Sequence, residues 1–113
     1  MPDDGFVAVL VIELHFPDAG SLKAKRKDLQ SIRSLLRSRF GASAAEVGHQ
    51  DTWQRATLLA AFASPTGRVL DDTLSSVERW LLERCPSGVR VERIVASLSD
   101  LQESFPARFA LGG

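Results

Sequence analysis

Two carboxylate–histidine pairs stand out among the residues that can do chemistry. Glu13 and His15 alternate near the end of an apolar run, and Glu46 lies three residues before His49. A carboxylate beside an imidazole orients the ring and tunes it for proton transfer. On a regular strand, residues three apart point to opposite faces, so Glu46 and His49 do not make such a pair there. Two histidines with nearby carboxylates also offer metal ligands. One cysteine, Cys85, with two histidines is too few for a tetrahedral zinc site of the usual type. Cys85 precedes Pro86 at the end of a helical pattern and reads as a cap residue rather than a nucleophile. Gly5, Gly20, Gly41 and Gly48 are spaced as turn residues and form no phosphate-binding glycine loop. These residues assign no catalytic group, no metal and no cofactor, and the chain reads as a non-enzyme.

Cationic residues give the second candidate chemistry. The 113 residues hold 14 Lys and Arg against 14 Asp and Glu, which excludes a polycation. The balance is uneven along the chain. Between Ser21 and Phe40 stand Lys23, Lys25, Arg26, Lys27, Arg33, Arg37 and Arg39 against Asp28 alone, a local charge of +6. Lys23, Arg26, Lys27, Arg33 and Arg37 share a broad side at helical spacing. Like charges repel, and Lys23 and Lys25 lie at the unfavourable end of the helix dipole. One reading is a surface for nucleic-acid phosphates, to which Lys25 also contributes. The other is a solvated face answered by acids elsewhere, such as Asp71, Asp72 and Glu78.

A third cluster is His49, Gln50, Asp51, Trp53, Gln54 and Arg55. Trp53 can stack on a base and Arg55 can clamp a phosphate. Alternatively, Trp53 anchors a hairpin on the core.

These residues need elements to hold them. Phe6 to Phe16 reads as a strand covered on both faces for most of its length. Pro17 to Gly20 forms a turn, Ser21 offers an N-cap, and Leu22, Leu29, Ile32, Leu36 and Phe40 form the core stripe of a helix ended by Gly41. Ala42 to His49 and Trp53 to Ser64 read as strands around a turn. A second helix begins at Ser64-Pro65, carries Leu70, Leu74, Val77 and Leu81, and runs to about Arg84. Val89 to Leu98 is the last strand. Residues 1–5 read as a flexible N-terminus, 6–99 as one domain and 100–113 as a loosely attached tail. The order strand, helix, strand, strand, helix, strand predicts a ferredoxin-like α+β sandwich, with both helices on one face of a four-stranded antiparallel sheet. The other face carries Val7, Val9, Val11 and Leu59. Its apolar character predicts a cover, most simply a second copy of the chain in a homodimer.

Three stretches carry a family resemblance: residues 11–15 (Val-Ile-Glu-Leu-His), 21–26 (Ser-Leu-Lys-Ala-Lys-Arg) and 45–58 (Ala-Glu-Val-Gly-His-Gln-Asp-Thr-Trp-Gln-Arg-Ala-Thr-Leu). Over residues 6–98 the chain resembles the bacterial YlxP-like family. The resemblance implies a ferredoxin-like fold and no established enzymatic activity. It implies a motif of unknown role at Glu46, His49, Gln50, Asp51 and Gln54. Such proteins are often encoded beside transcription-elongation, translation-initiation and ribosome-binding factors, an association that favours ribosomal RNA or the small ribosomal subunit as partner.

The single cysteine fits a reducing compartment. Phe6 to Ile12 is too short to span a bilayer, and Met1 to Gly5 lacks the basic region of a signal peptide. The expectation is a cytoplasmic protein with no membrane partner. Its open sheet face lacks the paired aromatics of RNA-recognition sheets, so RNA contact is expected on the helix.

Overall fold

A computed structural model of the chain describes residues 5–17, 20–86 and 88–106. Its elements are β1 (Phe6–His15), α1 (Leu22–Phe40), β2 (Ser43–Gly48), β3 (Arg55–Ser64), α2 (Gly67–Arg84), β4 (Val89–Ser97) and α3 (Leu98–Ser104). The strands form one antiparallel sheet in the order β2-β3-β1-β4. This is the ferredoxin-like arrangement expected from the element order.

Alternation decides which side chains meet the helices. Ala8, Leu10, Ile12 and Leu14 of β1 are buried, as are Ala56, Leu58, Ala60 and Phe62 of β3. Leu29, Ile32 and Leu36 of α1 and Leu70, Leu74, Val77 and Leu81 of α2 close over them. Burying each such leucine stabilises the fold by about 2 kcal/mol. The alanines of β3 do not make it helical, because pairing with β1 and β2 overrides their propensity.

The helix ends follow local chemistry. The Ser21 hydroxyl accepts from the Ala24 N–H at 3.1 Å. Gly41 closes α1 in the left-handed conformation, φ 70°, that a side chain would disfavour. α2 starts later than the proline signal implied. Thr66 is its N-cap, accepting from the Val69 N–H at 3.2 Å, and Pro65 lies before the helix. The rings of Phe40 and Trp80 meet at 5.5 Å, where α1 and α2 touch.

The C-terminal segment holds a helix that the sequence reading did not include. Leu98 to Ser104 forms α3, begun by a capping box between Ser97 and Asp100. The Leu98 N–H donates to the Gly5 carbonyl at 2.8 Å, which ties α3 to the start of β1. The first part of the expected tail is thus helical, to Ser104. The rest of it, 107–113, and the N-terminal residues 1–4 lie outside the described residues. Among the described residues, no helix is long and apolar enough to cross a membrane.

Candidate functional site

The buried side of α1 runs through Lys25, Leu29, Ile32 and Leu36. Lys25 therefore occupies an apolar-stripe position, four residues before Leu29. It is 1% exposed. Its ammonium donates to the carbonyl oxygens of Thr52, at 2.6 Å, and His49, and lies 3.6 Å from Glu46 Oε2. Burying an ammonium costs several kcal/mol unless its donors find partners. Two carbonyls accept from its N–H groups, and a carboxylate in ion-pair range balances its charge. This corrects two expectations. Lys25 does not reach a phosphate in solvent, because its charge is engaged inside the protein. Leu22 does not join the core stripe, being 38% exposed.

The other α1 cations divide further. Lys23, Arg26, Lys27 and Arg37 are exposed, and none has a carboxylate within 4 Å among the described residues. Arg33 is half-buried; its Nη2 donates weakly to the Ala44 carbonyl at 3.4 Å, and its Nε is buried with no partner. Arg39 lies over the Phe40 ring at 5.3 Å. Two of the acids offered as counter-charges serve elsewhere. Asp71 and Glu78 both hold Arg93 of β4 at 2.7 Å, with Ser75 as a third partner at 3.0 Å. The hydrogen bonds that Arg93 donates to Glu78 and then to Asp71 raise its pKa above the ordinary value. The reading in which Asp71 and Glu78 neutralise α1 is thereby corrected.

Lys25 also explains the segment from Glu46 to Arg55. β2 ends in a bulge between Glu46 and Gly48, and His49 follows with φ 60°. A non-glycine residue in this region is uncommon and needs its surroundings to fix it. Here the His49 carbonyl accepts from both the Thr52 N–H, at 3.1 Å, and the Lys25 ammonium. Trp53 is 49% exposed, so it is not the anchor of the hairpin on the core. A lysine from α1 supplies that anchor. Gln50, Asp51 and Gln54 are exposed. The Gln54 carbonyl accepts from the Phe16 N–H at 2.7 Å, extending the tie between β1 and β3.

The register separates groups that the sequence set together. Glu46 turns to Lys25, whereas His49 lines a cleft of about 490 Å³ with Glu13, His15, Arg55 and Arg90. Glu46 and His49 thus form no acid–base pair. Arg55 stands opposite His15 on the face away from the helices. It therefore does not share a surface with the exposed α1 cations. Gly88 completes one side of the cleft. Its carbonyl accepts from the His15 N–H at 3.1 Å, its φ is 151°, and a Cβ there would lie 3.4 Å from His15 Cβ. Sequence reasoning missed Arg90 and Gly88. Alternation along β4 puts Arg90 on the uncovered face, but only the strand register puts it opposite Glu13. No group of three His, Cys, Asp or Glu among the described residues is arranged to hold a metal ion. Cys85 is half-buried at the end of α2, and burial raises its thiol pKa, which favours the less reactive protonated form.

The remaining candidates lie at the other end of the uncovered face. Val7, Val9 and Val11 are half-buried and Leu59 is 36% exposed, with Ala61 and Ile94 beside them.

Comparison with known proteins places these motifs. An uncharacterized protein, YlxP of Bacillus subtilis (strain 168), is 48% identical over 48 residues, which cover 42% of this chain. The match spans about half that relative's length, 52%. The model of a family described as "protein of unknown function (DUF503)" matches residues 7–96. With that match over most of its length, the chain belongs to the YlxP-like family of unknown function (DUF503).

Proposed function

We propose that the protein is a non-catalytic cytoplasmic accessory factor that associates with RNA, at the small ribosomal subunit or its assembly, through α1. One observation carries this reading: Lys23, Arg26, Lys27 and Arg37 are exposed on one helix with no carboxylate within 4 Å among the described residues. Unpaired cations release counterions when they meet phosphates, which drives association. Phosphate contacts position a partner without reading its sequence, so preference among RNA sequences is weak. If four single-stranded phosphates are engaged, log affinity falls against log salt with a slope of about −3.

The test replaces Lys23, Arg26, Lys27 and Arg37 by Glu and leaves Lys25 and Arg33 in place. The variant is expected to keep its circular dichroism spectrum and to lose salt-sensitive ribosomal RNA in pull-down from lysate. RNA retention equal to wild type overturns the reading.

The uncovered sheet face supports a second reading, a homodimer acting as a structural or regulatory module. Val7, Val9, Val11 and Leu59 present neighbouring apolar surface there, and a second copy would remove it from water.

A further inference from the structure

The cleft at the polar end of the sheet has the features of an anion site. Arg55 on β3 and Arg90 on β4 flank β1 from opposite sides. Their strands lie about 10 Å apart across β1. An anion above Glu13 and His15 therefore has a guanidinium on either side. Arg90 stands opposite Glu13, yet neither Arg55 nor Arg90 has a carboxylate within 4 Å among the described residues. Arg93, three residues along β4 and on the opposite face, has two. Unmatched guanidiniums in a concave site concentrate positive potential, and their planar fork matches phosphate.

The other lining groups narrow the ligand. His15 and His49 are the chain's two histidines, and both line the cleft. Each offers a ring N–H to an anion. Glu13 accepts hydrogen bonds only, so it disfavours a second anionic group and suits a hydroxyl. A volume of about 490 Å³ is that of a small-molecule site. The wall is also preformed: Lys25 fixes the His49 backbone, and Gly88 leaves room for His15.

We propose that this cleft binds a phosphomonoester of mononucleotide size, with the phosphate between Arg55 and Arg90 and a ligand hydroxyl on Glu13. The site is independent of the α1 surface. The same chemistry is carried by a free nucleotide and by the phosphorylated end of an RNA chain.

The test titrates the full chain with uridine 5′-monophosphate, with uridine, and with a short 5′-phosphorylated oligoribonucleotide, following backbone amide shifts. Saturable shifts at His15, His49, Arg55 and Gly88 are expected with the monophosphate and not with uridine. R55Q and R90Q each weaken that binding about tenfold, the scale of one charge-assisted hydrogen bond. The α1 charge-reversal variant keeps it, which separates this proposal from the RNA-association reading. Equal affinity for mononucleotide and oligonucleotide assigns a free nucleotide; tighter oligonucleotide binding that persists in the α1 variant assigns an RNA end. The proposal is overturned if the monophosphate gives no saturable shifts at millimolar concentration, if uridine binds equally well, or if the R55Q/R90Q double variant binds as wild type does.

Discussion

The uncovered face of the sheet has two ends that meet solvent in different ways. At one end Val7, Val9 and Val11 of β1 stand opposite Ala63, Ala61 and Leu59 of β3, with Ala96 and Ile94 of β4 alongside. Strand ladders and cross-strand pairs are sufficient to hold that end. At the other, Glu13, His15, Arg55 and Arg90 meet an irregular turn at His49. A turn off the ladder must find donors for its carbonyls, and Lys25 provides them from the opposite layer of the fold. Regular pairing shapes the apolar end, whereas a charge placed behind the sheet shapes the polar one.

The largest effect should come from removing that charge. Lys25→Met leaves the Glu46 carboxylate without its counter-charge and the His49 and Thr52 carbonyls without their donor. We expect a loss of about 3 kcal/mol in denaturant unfolding. Amide exchange should quicken around Thr52 and remain slow along Val7 to Val11. Uniform quickening would show that the two ends are not separately held.

The apolar end responds to a different change. Val9→Asp puts a charge at the centre of the valine row and is expected to convert a dimer into a monomer in sedimentation velocity. A wild-type chain that already sediments as a monomer would remove the homodimer reading. The smallest effect should come from Arg93, which faces α2 and belongs to neither end. Arg93→Met is expected to cost about 1 kcal/mol, since its ion pairs are partly open to solvent. Its amide shifts should leave both ends of the face unmoved.

Most of the fold was legible because two periodicities carried it. The period of two in Phe6 to Phe16 and the helical spacing of Leu29, Ile32 and Leu36 located β1, α1 and the layer between them. The role of Lys25 was legible in principle, since it falls four residues before Leu29 and seven before Ile32. Its charge grouped it with Lys23 and Arg26 instead. The start of α3 was also written in the chain, as Ser97 and Asp100 at capping-box spacing, but the nearby Pro106 and terminal glycines read as a tail. The cleft was not legible. His15, His49, Arg55 and Arg90 are dispersed along the sequence, and they meet through strand register and the left-handed backbone of His49. Neither property belongs to a local stretch.

The bulge in β2 has a consequence at the level of many molecules. β2 is an edge strand of only six residues. A free edge invites strands from other chains, because its backbone donors and acceptors are already aligned for them. The break in register between Glu46 and Gly48 interrupts that alignment near the end of the edge. The irregularity that leads into the His49 turn thus also shortens the stretch of the β2 edge on which a strand from another molecule can pair.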